Sequence, residues 1–230
     1  MHPKHLEVHL QVMNLKTCLF DLDGTLTDPK AGITGSIQYA LEKLGQHVPS
    51  KDELESAIGP PLHETFLQQL NNDPDAAAQG VKYYRERFGT IGLFENEIYP
   101  GIHDCLSKIK EAGIKLYVAT SKPHFYAKQI AEHFKFDHFF NHVHGSEMTG
   151  ERQDKGELIK YIIETESLEA ESTIMIGDRK HDIIGAKKNN LRTIGVTYGY
   201  GSREELTIAE ADELVETPEG ITPALLTPSS

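Results

Sequence analysis

Between residues 99 and 215 the chain alternates short apolar runs with longer stretches whose apolar residues recur every three or four positions. Runs at 115–119, 173–176, 192–196 and 212–215, with a weaker one at 139–143, read as strands. The stretches 102–112, 124–135, 155–166, 179–190 and 202–209 read as amphipathic helices. Strands that alternate with helices must be joined by helical crossovers, and crossovers place successive strands parallel. The expected class is therefore α/β, a parallel sheet covered by helices on both faces.

One further apolar run, Cys18-Leu19-Phe20, precedes this region and ends in Asp21-Leu22-Asp23-Gly24-Thr25. If the strand continued, Asp21 and Asp23 would point alike but lie two positions apart along it. A strand that stops there, with Gly24 turning the backbone, delivers both acids to the carboxyl end, where open α/β sheets bind ligands. Two close carboxylates are costly unless a cation joins them or they share a proton.

Residues 29–97 have a different character. Ile37, Ala40, Leu41 and Leu44 keep helical spacing up to Gly45. Ser50 and Glu53 have the form of a capping box, predicting a short helix that ends near Gly59. A third helix is expected after Pro60-Pro61 and a fourth from Asp73, the latter carrying Val81, Tyr84 and Phe88. The predicted organisation is an α/β core from 15–28 and 98–230, interrupted by a helical cap domain at 29–97. Residues 1–14 alternate apolar and polar residues but scatter three His and a Pro among them; they read as an extension, disordered or artefactual, rather than an edge strand. The tail after Thr217, broken by prolines, is frayed or a loosely docked helix.

The net charge of −12 argues against a nucleic acid polymer or an anionic membrane as partner. No apolar run is long enough to span a bilayer. Two cysteines, Cys18 and Cys105, make no disulfide framework, which fits a reducing, cytoplasmic setting.

Polar clusters fall at or near strand ends or at helix starts: Asp21 and Asp23; Thr120-Ser121, before a helix whose free N–H groups suit a phosphate; Lys155; and Asp178 with Asp182. Oxygen ligands without Cys or His suit a hard cation such as Mg²⁺, which takes one or two carboxylates together with substrate phosphate oxygens. One acid of the first loop would attack phosphorus and the other would handle the proton, with Lys155 and the Thr120 region neutralising charge. The residues alone do not say which acid takes which role.

Phe20-Asp21-Leu22-Asp23-Gly24-Thr25, Val118-Ala119-Thr120-Ser121, Lys155 and the run from Ile176 to Asp182 resemble the four ordered motifs of the haloacid dehalogenase-like (HAD) superfamily. The helical insertion resembles its C1-type cap, and the 195–202 segment resembles the phosphoglycolate phosphatase-like subgroup. The resemblance implies a Rossmann-like core and a Mg²⁺-dependent phosphatase of small-molecule phosphate monoesters working through an aspartyl-phosphate. It implies Asp21 as nucleophile and metal ligand, and Asp23 as acid/base with a backbone carbonyl on the metal. Thr120 and Ser121 would bind phosphate, Lys155 would neutralise charge, and Asp178 would hold the metal with Asp182 behind it. Gly59, Pro60 and Arg85 are the cap's candidates for contacting the substrate. Phosphoglycolate is the expected substrate, and a 5′-nucleotidase the alternative. A monomer or homodimer is expected.

Blander readings compete. Lys122 and Arg179 are as well explained as exposed basic residues. His133, His138, His142 and His144, irregularly spaced, read as surface histidines. A dehalogenase would lack the second Asp of the first motif. A phospho-ligand-binding or receiver-like module would order its motifs differently and carry no helical insertion there.

Overall fold

The computed structural model describes residues 15–226; the extension at 1–14 lies outside them. Six strands form one all-parallel sheet: β1 (Thr17–Phe20), β4 (Lys115–Pro123), β5 (His142–Ser146), β6 (Thr173–Gly177), β7 (Arg192–Val196) and β8 (Glu213–Val215). Their order is β5-β4-β1-β6-β7-β8. The chain thus leaves β1 to one side, reverses, and completes the sheet on the other. That is the topological switch point where Rossmann-like folds bind ligands.

Side chains alternate across the sheet as a period of two requires. Cys18, Phe20, Val118, Ile174 and Ile176 face α4 (Ile102–Glu111) and α5 (His124–His133). Leu19, Tyr117, Ala119 and Met175 face α6 (Lys155–Glu166) and α7 (Lys180–Lys188). Both faces are buried, with all of these side chains under 5% exposed. The remaining core helix, α8 (Arg203–Ile208), precedes β8. The tail is an ordered helix, α9 (Pro218–Leu226), which buries Ile221 and Leu225 against α4; Pro218 stands at its start, where a missing N–H costs nothing.

A two-residue antiparallel pair, β2 (Thr27–Asp28) with β3 (Glu97–Ile98), marks where the chain leaves and re-enters the core. Sequence patterning misses it because two residues carry no period. Between these strands lie α1 (Lys30–Lys43), α2 (Leu62–Gln69) and α3 (Pro74–Arg87), the last extended by a π-helical turn, Phe88–Gly92. Asp73 caps α3, its carboxylate accepting from the N–H groups of Asp75 (3.0 Å) and Ala76 (3.1 Å).

The expected helix from Ser50 to Gly59 is not formed. The reciprocal Ser50–Glu53 hydrogen bonds are present, but they close a turn followed by one 3₁₀ turn, Glu55–Ala57. A capping box satisfies the first N–H groups of a helix; it does not supply the length that repays nucleation. Instead Ile58 turns extended and aims Gly59-Pro60 at the sheet. Among the described residues no helix is long and apolar enough to cross a membrane.

Candidate active site

Strand register assembles the site. Phe20 pairs with Val118 on one side and Ile176 on the other, so Asp21 emerges level with Ala119 and Gly177, one residue short of Thr120 and Asp178. Residues far apart in sequence therefore meet at the carboxyl ends of three adjacent strands. Asp21, Asp23, Thr120, Ser121, Lys155 and Asp182 line one cavity beneath the helical layer, which contributes Gly59, Pro60 and Arg85. Asp178 lies behind this lining and is completely buried.

Lys155, at the first turn of α6, is the hub. Its buried ammonium donates to Asp21 Oδ1 (2.9 Å) and to the Ala119 carbonyl (2.8 Å), and lies 2.7 Å from Asp182 Oδ1. Burial alone would lower its pKa, but Asp182 and Asp21 outweigh that and hold the ammonium protonated. Asp21, Asp178 and Asp182 each offer a carboxylate oxygen, all within 4.8 Å of one another. Three buried carboxylates thus crowd together, and one ammonium contacts two of them, Asp21 and Asp182. Burial, then Asp21 and Asp182, drives the Asp178 pKa well above the ordinary carboxylate range. Asp182 is pushed up to about 6, chiefly by burial, with Lys155 pulling the other way.

The cluster fits a hard divalent cation on four counts. Its donors are all carboxylate oxygens. It carries excess negative charge. Asp182 Oδ1, close as it is to Lys155, is buried with no hydrogen bond aligned to it. The backbone around Asp178 also admits no side chain: a Cβ on Gly24, where φ is +86°, would meet Asp178 Oδ2 at 2.2 Å, and one on Gly199 would meet its Cβ at 2.4 Å. Asp178 is oriented by the Tyr200 N–H (2.8 Å to Oδ2) and the Thr25 hydroxyl (3.4 Å to Oδ1). Tyr198 donates to the Thr25 carbonyl at 2.8 Å, and Tyr200 donates to Asp28, so the 198–201 segment braces the whole acidic loop.

The Asp182 carboxylate stands beside Asp21 and Asp178 and contacts Lys155. The first turn of α7 packs directly on Gly177, where an added Cβ would come within 2.3 Å of Asp182 Cγ. Asp23 also occupies a separate environment. Its Oδ2 is 2.8 Å from Lys122 Nζ, and its Oδ1 is buried with no hydrogen bond. Burial raises the Asp23 pKa, and Lys122 opposes the rise. The two acids of the first loop are therefore unequal: Asp21 belongs to the charged cluster, Asp23 to the cavity's other wall.

Lys122 is the residue the sequence undervalued. Its side chain is only 6% exposed, and its ammonium sits 4.6 Å from the centre of the Phe88 ring. The register of β4 against β5 breaks between Thr120 and Pro123, and this irregularity turns Lys122 inward. Nothing in the sequence marks that break. Thr120 is 1% exposed, and its hydroxyl accepts from the Lys122 N–H at 3.2 Å. Ser121 faces the cavity but spends its hydroxyl on the Gln153 carbonyl (3.1 Å).

The helical layer supplies an aromatic wall, also missed as such. Tyr84 stacks on Phe88 (centroids 5.1 Å, planes 14° apart), and Phe88 meets Tyr126 of α5 edge-on at 5.4 Å. Two arginines tie this layer to the core. Arg85 donates to the Met148 carbonyl at 3.1 Å. Arg179 donates to the Ile58 carbonyl while also bonding Glu205 at 2.9 Å, so it is not the free surface cation that its position suggests.

Comparison with known proteins finds relatives of one family. A family model described as haloacid dehalogenase-like hydrolase matches residues 18–196. A 5′-nucleotidase from Pseudomonas aeruginosa is 50% identical over 188 residues, covering 82% of this chain and 85% of that protein. A phosphoglycolate phosphatase from Vibrio cholerae serotype O1 is 27% identical, covering 86% and 92%. The crystal structure of a predicted phosphatase from Clostridium acetobutylicum superposes with a TM-score of 0.89 at 44% identity, covering 92% of this chain and 98% of that one.

Proposed function

The chain belongs to the haloacid dehalogenase-like hydrolase family, and from that membership we propose a Mg²⁺-dependent phosphatase of small-molecule phosphate monoesters that works through an aspartyl-phosphate. The observation that carries the proposal is the inequality of Asp21 and Asp23, one paired with Lys155 in the acidic cluster and the other half-buried beside Lys122 with a raised pKa.

In this reading Asp21 attacks phosphorus, forming its P–O bond as the ester oxygen leaves. Lys155 holds the Asp21 carboxylate in place and offsets charge on the phosphoryl oxygens. Thr120 and the N–H of Ser121 receive those oxygens. Asp23, whose pKa desolvation raises, gives its proton to the leaving oxygen. As carboxylate it then takes a proton from the water that cleaves the aspartyl-phosphate, which restores both acids. Asp21, Asp178 and the Asp23 backbone carbonyl would hold the cation, with Asp182 beside them. When bound, Mg²⁺ would neutralise phosphate charge and fix the phosphoryl group in line.

The block at 29–97 acts as a cap that selects the leaving group and excludes water. Its aromatic wall favours a leaving group that carries a flat aromatic ring, as in nucleoside 5′-monophosphates, over a short carboxylic acid. The 50%-identical 5′-nucleotidase supports the same order, which reverses the preference for phosphoglycolate drawn from sequence. A reducing, cytoplasmic setting is supported by Cys18 and Cys105, both buried and unpaired.

The test is phosphate release from a panel of nucleoside 5′-monophosphates and phosphoglycolate, in MgCl₂ and in EDTA, by wild type and Asp21→Asn. Nucleotides should lead the panel. Activity that persists in EDTA or in the variant would overturn the mechanism; a preference for phosphoglycolate would overturn only the substrate assignment.

A further inference from the structure

At the far end of α6 from Lys155, two imidazoles and a carboxylate converge. His142 and His144 stand two residues apart on β5, the edge strand, so both leave the same face. Their rings stack, centroids 4.5 Å apart and planes 22° apart. Both turn toward one oxygen of Glu166, the last residue of α6: His144 Nε2 lies 2.9 Å from Glu166 Oε1, and His142 Nδ1 lies 3.9 Å from it. One donor atom from each residue falls within 4.8 Å of the other two. Irregular spacing made these histidines look like surface residues. His144 is in fact 6% exposed, and the packing of α6 on the sheet, not local spacing, brings Glu166 to the pair.

We propose that His142, His144 and Glu166 bind a divalent transition ion of the Zn²⁺ type, at a site separate from the acidic cluster. Two imidazoles and one carboxylate are a donor set for Zn²⁺ rather than for Mg²⁺. Zinc–ligand bonds of about 2.0–2.1 Å place tetrahedral donors roughly 3.3 Å apart. The two distances to Glu166 Oε1 bracket that value, so small side-chain rotations close the site. His142, with its side chain 52% exposed, keeps the mouth open to solvent and leaves room for water as a fourth ligand. The rings of Tyr117 (6.1 Å) and Tyr161 (6.0 Å) flank His144. A structural hydrogen bond between His144 and Glu166 explains those two residues; it does not explain why His142 aims Nδ1 at the same oxygen. At 1.5 Å rise per residue, the α6 backbone runs roughly 16 Å from Lys155 to Glu166, so the two donor sets use opposite ends of that helix. A bound ion would tie the edge strand to the helix that carries Lys155.

The test is calorimetric titration of the full chain with ZnCl₂ in excess MgCl₂, which keeps the acidic cluster supplied with its own cation. The comparison proteins are His142→Ala, an exposed position with little bearing on folding, and Glu166→Gln. His2, His5 and His9 are present in all three proteins, so the difference between them isolates this site. Wild type should bind one Zn²⁺ more tightly than either variant by at least about tenfold. Co²⁺ should give a tetrahedral visible band in wild type alone, and Zn²⁺ should raise the thermal midpoint of wild type alone. Phosphate release in MgCl₂, unchanged in both variants, reports an intact fold. Equal Zn²⁺ affinity and stoichiometry in the three proteins would overturn the proposal.

Discussion

Replacing Asp178 by Asn should stabilise the metal-free protein while abolishing its activity. The side chain is fully buried and shares its surroundings with Asp21 and Asp182, whose oxygens lie within 4.8 Å. At an effective dielectric of about 20, two unit charges at that separation repel by about 3.5 kcal/mol. Lys155 touches Asp21 and Asp182, not Asp178, so it cancels only part of this. Asn keeps the shape and can still accept from the Tyr200 N–H while its amide turns to the Thr25 hydroxyl. The net gain should be about 1–3 kcal/mol, read as a rise of roughly 3–10 °C in thermal midpoint for a chain of this size. Excess MgCl₂ should close or reverse the gap. Wild type then gains about 2.7 kcal/mol at a concentration 100 times Kd, and the variant gains little.

The pH dependence has a definite sign. Because the folded pKa of Asp178 lies above its unfolded value of 3.8, the folded state holds the proton longer, and stability falls as pH rises from 3.8 through the folded pKa. Asp182, pushed up to about 6, adds to the same fall. The gap between variant and wild type in EDTA should therefore be small at acid pH, widen as pH rises, and then level off. Differential scanning calorimetry in EDTA and in MgCl₂ measures all of this. A variant less stable than wild type in EDTA at neutral pH, or a wild type indifferent to MgCl₂, would refute the reasoning.

Lys155→Met leaves Asp21 and Asp182 buried without their cation, and should cost about 3–5 kcal/mol in denaturant unfolding as well as activity. Lys122→Met removes the group that opposes the rise in the Asp23 pKa, so the alkaline limb of kcat/KM should move to higher pH; an unmoved limb would separate Lys122 from the acid/base step. Tyr84→Leu removes one face of the aromatic wall and should weaken nucleoside monophosphate binding by about 1 kcal/mol, a roughly fivefold rise in KM, with little change for phosphoglycolate.

The strands at 173–177 and 192–196 were legible because each is a short apolar run between turns, a pattern that carries its own burial. The acidic loop was legible for a similar reason, since Asp21, Asp23 and Gly24 fall within four residues and end such a run. Ser50 misled because a capping box describes the start of a helix and not its length. Lys122 was illegible because its direction depends on a break in strand register, to which the neighbouring β5 contributes half. His144 was misread because its partner, Glu166, lies on a helix whose place is set by the sheet.

By itself, the sequence determined the α/β class, the helical insertion and the identity of most groups in the cavity. These follow from periodicity and from side-chain chemistry, both of which act over a few residues. Only the tertiary structure decided which charge meets which: Lys155 with Asp21, 134 positions apart, Lys155 with Asp182, and Lys122 with Asp23. Coulomb interaction depends on distance in space, and across this sheet that distance is set by strand order and register rather than by separation along the chain.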